Sequence, residues 1–242
     1  MTLKEGSLLK TIADTVCVPL HPEGKPFVIG GVIVALVGFL LWEPLGVLGL
    51  VFTLFCLYFF RDPVRVTPQG ASFVISPADG KVIAVTPGCA LPKELRDNDD
   101  DTHYTRISIF LSVLDVHCFR NPVSGKVVDT DYKAGKFVNA ALDKASEDNE
   151  RAAALIETAE GKKIAVVQIA GLVARRIVSH LKEGEEVTAG LRYGFIRFGS
   201  RADIYIPAGV APLVVEGQRA LGGETILADL SNSGAARTGR AS

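Results

Sequence analysis

Two long apolar runs lie near the start of the chain, and short alternating runs follow them. The apolar runs cover residues 27–42 and 45–60, each 16 residues long, and neither contains a charged side chain. Glu43 and Pro44 separate them. A helix of that length measures about 24 Å, whereas the hydrocarbon core of a bilayer is about 30 Å thick. Because Pro44 interrupts helical hydrogen bonding, the pattern predicts two short helices that form a hairpin.

Both runs are apolar on every side, which is typical of a segment in contact with lipid. Three placements are open: a hairpin that spans a slightly thinned bilayer, a hairpin that dips into one leaflet, and a hairpin buried in a soluble core. The outer ends are flanked by basic residues, Lys4, Lys10 and Lys25 before the runs and Arg61 and Arg65 after them. Since basic flanks stay in the cytoplasm, we expect both ends of the hairpin to face it.

From Arg61 onward, the chain consists of short apolar segments bounded by glycine and proline, a pattern typical of β-strands. The predicted strands cover residues 73–75, 82–85, 104–111, 164–169 and 204–206. Ala140–Glu160 differs, because it is rich in alanine, glutamate, lysine and aspartate, and it predicts a helix or a helix with a loop. Residues 231–242 are small and polar and predict a disordered tail.

Two sequence repeats indicate the architecture of this second part. The segment Pro77–Val82 recurs as Pro122–Val127, and the glycine-containing segment 183–190 recurs as 216–223. Repeated strand–glycine–strand units favour a small barrel or sandwich that resembles biotinyl/lipoyl-like and hybrid-motif barrels. We therefore predict a mainly β protein with some helix (α+β). Its N-terminal segment 1–62 contains the membrane hairpin 27–60, and a β-rich catalytic domain covers 63–230.

Charge and cysteine content exclude several classes of protein. The formal net charge is −1, so no overall basic field favours binding to nucleic acid. The chain has four cysteines at wide, irregular spacings and no CxxC pair, so neither a structural zinc site nor a disulfide framework is expected. The cysteines are Cys17, Cys56, Cys89 and Cys118.

Three segments contain side chains with catalytic potential: 76–80, 114–122 and 197–203. Each is weak evidence alone, because an Asp-Gly pair usually marks a turn and a histidine among apolar residues is usually structural. A serine, a histidine and an aspartate can together form an activated nucleophile. Spacing alone does not tell whether Asp79, His117 and Ser200 meet.

These segments carry a resemblance to a known family, the short bacterial type of phosphatidylserine decarboxylase, whose members depend on a pyruvoyl group. The similar segments are spread over about residues 55–230. They are Phe59–Pro63, Ser76–Val82, Asp115–Val127, Leu142–Arg151, Gly171–Arg176 and Gly194–Pro207.

The resemblance implies a proenzyme that cuts itself between Gly199 and Ser200. It yields a β fragment of residues 1–199 and an α fragment of residues 200–242 that begins with pyruvoyl made from Ser200. In this scheme Ser200 attacks the Gly199 carbonyl, His117 takes the hydroxyl proton, and Asp79 orients His117. The pyruvoyl ketone then forms a Schiff base with the amine of phosphatidylserine, and loss of CO2 gives phosphatidylethanolamine. His117 is also the candidate proton donor for that step, and no metal is expected.

The resemblance also implies partners and a location. We expect a heterodimer of the α and β fragments, with a higher oligomer left open, on the cytoplasmic side of the bacterial inner membrane. The phosphate and carboxylate of the substrate head group require cationic partners. The candidates are Arg175, Arg176, Arg197 and Arg201, for which ordinary surface charge is the alternative.

Three other functions each match a part of this sequence less well. The tripeptide Asp143-Lys144-Ala145 matches a lipoyl-lysine site, but it lies in the segment predicted as helix rather than on a β-turn. A membrane-anchored metallopeptidase would need clustered histidines, whereas the four histidines of this chain are scattered. A lipid-binding relative without catalysis would not need the Asp79, His117, Gly199 and Ser200 that are present.

Overall fold

The computed structural model describes residues 18–96, 103–135, 149–171, 176–197 and 199–240. The chain divides into two compact units, of which the first ends at Val64 and the second begins at Arg65. We describe each unit by itself.

The first unit contains the predicted pair of apolar helices. Helix α1 spans Lys25–Leu41 and continues a short 3-10 turn at Pro22–Gly24, and helix α2 spans Glu43–Phe59. Trp42 breaks the helix between them with extended backbone angles, φ −166° and ψ 114°. Pro44 lies in the first turn of α2, where its missing N–H is not needed by the helix. The proline therefore begins the second helix instead of breaking a single long one.

Small residues allow the two helices to touch along their backbones. A Cβ atom at Gly38 would lie 2.5 Å from the Gly46 nitrogen, and one at Gly49 would lie 2.6 Å from the Ala35 nitrogen. Close approach through glycine and alanine is typical of helix pairs in lipid. The large apolar side chains point outward, as at Leu40, which is 86% exposed. Within the described residues, the helical stretch Pro22–Leu41 is long and apolar enough to cross a membrane, and Glu43–Phe59 is shorter.

The second unit is built from antiparallel strands. Eight strands form a curled half-barrel sheet in the order β12-β2-β3-β11-β7-β6-β5-β9, and smaller sheets have the orders β4-β10-β8 and β1-β13. The strands are β1 (Phe73–Ile75), β2 (Gly80–Cys89), β3 (Tyr104–Leu111), β4 (Cys118–Arg120), β5 (Gly125–Lys133), β6 (Arg151–Glu157), β7 (Lys163–Ala170), β8 (Ile177–Ser179), β9 (Glu186–Val187), β10 (Arg192–Ile196), β11 (Ser200–Pro207), β12 (Arg219–Ala220) and β13 (Ile226–Asp229).

Strand β11 lies in the middle of the large sheet and shows how its two faces differ. Ala202 and Ile204 belong to the main apolar core, together with Ile109 of β3. Tyr205 points to the opposite face and packs in a second cluster with Val167 of β7. Because side chains alternate along a strand, Ser200 lies on the face of Ala202. The α+β class predicted from the sequence is confirmed.

The helix predicted within Ala140–Glu160 is wrong for the residues that the structure describes. Arg151–Glu157 forms strand β6, which pairs with β5 and β7, whereas residues 140–148 lie outside the described residues. Ala153 and Ala154 are each 4% exposed, so their burial between neighbouring strands outweighs the helical preference of alanine. Residues 231–240 are exposed and form neither helix nor strand, and the disorder of the tail stays a prediction.

The sequence repeats have a structural counterpart at the two ends of the large sheet. Val82 of β2 donates its N–H to Gln218 and accepts the N–H of Gly217, both at 2.8 Å. Val127 of β5 makes the same pair of bonds, to Glu185 at 2.9 Å and from Gly184 at 2.8 Å. The pairing of β2 with β12 thus repeats as the pairing of β5 with β9.

Candidate active site

Ser200 begins the central strand of the large sheet. It pairs with Leu111 on β3 and with Ala170 on β7. Its side chain is fully buried, and its Oγ has no hydrogen-bond partner in the part of the chain that the structure describes. The preceding residue, Gly199, has a φ of +80°, a left-handed conformation that favours glycine. The peptide bond between them therefore joins an unusual backbone conformation to a buried hydroxyl.

His117 reaches this peptide because the strand that follows it, β4, pairs with β10. Ile196, the last residue of β10, donates its N–H to the His117 carbonyl at 3.3 Å. The His117 ring is fully buried, and its Nε2 lies 3.2 Å from the Gly199 nitrogen. The other ring nitrogen, Nδ1, lies 2.9 Å from the Asp115 carbonyl oxygen. Because a carbonyl only accepts, Nδ1 carries the hydrogen and Nε2 accepts the Gly199 N–H.

Asp115 holds its own carbonyl in place through its side chain. One carboxylate oxygen accepts hydrogen bonds from the Ser112 nitrogen and the Ser112 hydroxyl, both at 2.8 Å. The other oxygen bonds to the guanidinium of Arg219. The turn that follows β3 is thereby closed, and it orients the His117 ring.

The carbonyl of Gly199 also has a partner. The N–H of Gly171 donates to the Gly199 oxygen at 3.1 Å. Gly171 directly follows Ala170, the last residue of β7, which pairs with Ser200. A fixed N–H at a carbonyl oxygen is the arrangement that stabilises an oxyanion when a nucleophile attacks that carbonyl.

The Asp79 carboxylate accepts hydrogen bonds from a side chain and from the backbone. Its Oδ2 accepts a hydrogen bond from Arg65 at 2.7 Å, and its Oδ1 accepts the Gly222 N–H at 2.8 Å. The turn that carries it is joined to β4, because Arg120 donates its N–H to Pro77 at 2.9 Å. The Asp115 carbonyl holds His117 Nδ1, and Arg65 and Gly222 hold the Asp79 carboxylate; the expected orientation of His117 by Asp79 stays a prediction.

The four candidate arginines separate into different groups. Arg176 precedes β8 and Arg197 follows β10, and the Arg197 nitrogen is 3.5 Å from the Arg176 oxygen, two residues before Gly199 in the chain. Arg201 is 1% exposed and forms two hydrogen bonds with Asp203, at 2.7 and 3.0 Å. A third hydrogen bond, to Ser108 at 2.9 Å, also holds this buried side chain, and its expected head-group role stays a prediction. Arg175 and the lipoyl candidate Lys144 lie outside the described residues.

Sequence reasoning missed the contacts that backbone groups make. The Asp115 carbonyl and the Gly171 and Gly222 amides all contact candidate catalytic groups. Backbone carbonyls and amides occur along the whole chain, so the residue type does not reveal which of them take part. The available signal was location, because Asp115 and Gly171 lie in segments that resemble the decarboxylase family. Among the described residues, no three histidine, cysteine, aspartate or glutamate side chains are grouped to hold a metal ion.

Comparison with known proteins identifies the family to which these features belong. The family model for phosphatidylserine decarboxylase matches residues 52–228. A phosphatidylserine decarboxylase proenzyme from Granulibacter bethesdensis is 56% identical over 216 residues, which cover 89% of this chain and 87% of that protein. Another, from Cereibacter sphaeroides, is 52% identical over 223 residues, covering 92% and 95%. With a family model matched over most of its length and two relatives aligned nearly end to end, the chain belongs to the phosphatidylserine decarboxylase family.

Proposed function

We propose that this decarboxylase is a proenzyme that cuts itself between Gly199 and Ser200 and then converts phosphatidylserine to phosphatidylethanolamine and CO2. The observation that supports this most directly is the environment of one peptide bond. Gly199 donates its N–H to His117 and accepts the N–H of Gly171 at its carbonyl, next to a buried serine. A carbonyl polarised by an N–H, beside a hydroxyl of low exposure, is arranged for attack by that hydroxyl.

The self-cleavage is an exchange of acyl bonds followed by an elimination. Ser200 Oγ forms a bond to the Gly199 carbonyl carbon and the bond from that carbon to the Ser200 nitrogen breaks. The hydroxyl proton ends on the Ser200 nitrogen, which becomes a free amine, and the amide becomes an ester. The Gly171 N–H supports the negative charge that builds on the Gly199 oxygen. Loss of the Ser200 Cα proton then breaks the Cβ–Oγ bond and releases the Gly199 carboxylate. Water displaces the nitrogen of the resulting dehydroalanine as ammonia, which leaves pyruvoyl at residue 200.

The residues around Ser200 fit a pyruvoyl group. Ser200 is buried between β3 and β7, and its Oγ has no hydrogen-bond partner in the described part of the chain. Bound at residue 200, the group would supply an electron sink for the electrons released with CO2. His117 holds an accepting nitrogen at this site, and we assign to it the transfer of the proton that completes decarboxylation.

The substrate is a lipid, and two features of the chain support access to it. The exposed apolar surfaces of α1 and α2 fit an anchor in the bilayer, with basic flanks that keep their ends in the cytoplasm. The backbones of Arg176 and Arg197 are in contact, and Arg197 is two residues from Gly199, so these two cations are the ones we assign to the phosphate and carboxylate of the head group.

The first experiment is the intact mass of the protein purified in detergent, alongside Ser200→Ala. We expect two fragments from the wild type, 1–199 and 200–242, the second carrying pyruvoyl, and a single uncut chain from the variant. Phosphatidylserine in mixed micelles should then yield phosphatidylethanolamine with the wild type and none with Ser200→Ala. A folded wild-type chain that stays at full length would refute the self-processing proposal.

A further inference from the structure

The peptide unit that joins Ala170 to Gly171 is held from both of its ends. Its N–H, on Gly171, donates to the Gly199 oxygen at 3.1 Å. Its carbonyl, on Ala170, accepts a hydrogen bond from the Asn149 side-chain amide at 2.7 Å. In a trans peptide the C=O and the N–H point in opposite directions. Asn149, the peptide unit and the Gly199 carbonyl therefore form one continuous line of hydrogen bonds.

Burial and a neighbouring backbone hydrogen bond hold Asn149 in place against the Ala170 carbonyl. It is fully buried, and it directly precedes Glu150, whose carbonyl accepts the Ala170 N–H at 2.9 Å. Ala170 is the last residue of β7, and its carbonyl is held by the Asn149 side chain. Without the Asn149 amide, that carbonyl would lose a buried hydrogen-bond partner, and the peptide plane would lose the contact that sets its tilt.

We infer that Asn149 is a positioning residue for self-cleavage. It keeps the Gly171 N–H aimed at the Gly199 oxygen, the atom on which negative charge develops when Ser200 attacks. Hydrogen bonds in a chain polarise one another, so the amide of Asn149 also strengthens the donor at Gly171. This inference rests on the proposed self-processing and assigns to Asn149 a role in that reaction that acts through the Ala170–Gly171 peptide.

The test compares the rate of cleavage with the rate of turnover in Asn149→Ala. Uncut chain is made by cell-free synthesis with detergent micelles, and the two fragments are followed over time by gel and mass. Loss of an oxyanion donor slows reactions by about 100- to 1,000-fold, and an indirect loss should slow cleavage by about 10- to 100-fold. Turnover of phosphatidylserine per cleaved chain should change by less than about twofold, because the Gly199 carbonyl no longer reacts.

Asn149→Asp adds a pH signature that a loss of packing would not give. An ionised carboxylate cannot donate to the Ala170 carbonyl, whereas a protonated one can. The cleavage rate of Asn149→Asp, divided by that of the wild type at the same pH, should therefore rise as the pH falls from about 8 to about 5. A ratio that stays flat across this range would contradict the role of the side-chain donor.

Asn121→Ala is the matched control. The Asn121 amide also donates to a backbone carbonyl, that of Thr188 at 3.3 Å, but the N–H of the same peptide, on Ala189, goes to Ser124. Asn121→Ala should leave cleavage near the wild-type rate. Thermal unfolding of both variants is measured in the Ser200→Ala background, so that every chain compared is uncut.

The outcomes separate the inference from the function on which it rests. A wild-type chain that never cuts would refute self-processing itself. A wild-type chain that cuts, with Asn149→Ala cutting equally fast, would overturn the positioning role alone. Equal slowing in Asn149→Ala and Asn121→Ala, or slowing that follows a matching loss of thermal stability, would also overturn it, because a general structural role would then explain the effect.

Discussion

The hydrogen bond at His117 Nε2 bears on whether this residue acts in self-cleavage or in decarboxylation. A neutral imidazole has one nitrogen that accepts a hydrogen bond, and in the uncut chain the Gly199 N–H occupies it at 3.2 Å. The same nitrogen cannot accept the Ser200 proton while that bond lasts. Cleavage makes Gly199 a chain end, and when that end moves away and takes its N–H with it, Nε2 can exchange a proton with substrate. The geometry therefore favours a role in decarboxylation over the role in cleavage that the family resemblance implied.

We predict that His117→Ala reduces turnover more than it reduces self-cleavage. Removal of a general acid or base costs about 100- to 10,000-fold, so turnover per cleaved chain should fall by at least about 100-fold, whereas cleavage should slow by less than about tenfold. The measurement is fragment formation over time, followed by phosphatidylethanolamine release. His180→Ala, which changes an exposed histidine, should affect neither. A His117→Ala chain that stays uncut would instead make His117 the base for cleavage.

At the residue scale, the family resemblance, and not the spacing of the residues, pointed to Gly199, Ser200 and His117 together. The structure brings His117 Nε2 to 3.2 Å from the Gly199 nitrogen. The contacts of Asp79 were not predictable, because they depend on Gly222, more than a hundred residues away. Asn149 was also missed as a site residue, since its amide acts through the backbone of Ala170. The first contact lies beside the pairing of β2 with β12 and the second beside the pairing of β6 with β7, and no local sequence pattern predicts these pairings.

At the element scale, the two ends of the large sheet show why particular glycines begin β2 and β5. A Cβ at Gly80 would lie 2.3 Å from the Phe110 oxygen, and one at Gly125 would lie 2.2 Å from the Glu157 oxygen. Each glycine thus lets one strand cross close to the backbone of its neighbour. The sequence repeat signalled both positions. No sequence repeat marked β6, and its alanines predict a helix when the neighbouring strands are not known.

We predict that Gly80→Ala and Gly125→Ala destabilise the fold to a similar degree. Neither backbone oxygen can move without breaking the sheet, so each variant should lose about 3 kcal/mol or more of unfolding free energy. Gly184→Ala is the control, because a Cβ there meets nothing within 4 Å; its positive φ should cost only about 1 kcal/mol. Denaturant unfolding in the Ser200→Ala background measures all three. A large loss at Gly80 with none at Gly125 would contradict the structural repeat.

At the scale of the whole β-rich unit, the proposed cleavage site lies where a cut would leave the strand pairing of the sheet intact. Residues 200–242 supply β11, β12 and β13, which pair with β3 and β7, with β2, and with β1 respectively. All four of those partner strands belong to residues 1–199. Cleavage at the first residue of β11 therefore removes one covalent link and none of the strand pairing. A cut within β11 would instead split the central strand of the sheet.

We predict that the two fragments stay bound to each other after self-cleavage. β11 pairs along its full length with β3, and Ala202, Ile204 and Ile206 are buried in the main core. Pulling out the α fragment would expose that core to water, which is strongly unfavourable. A tag on the β fragment should therefore retain the α fragment through washing in mild detergent, and denaturant should release it. If the α fragment washed away while the β fragment remained folded, the central position of β11 would be wrong.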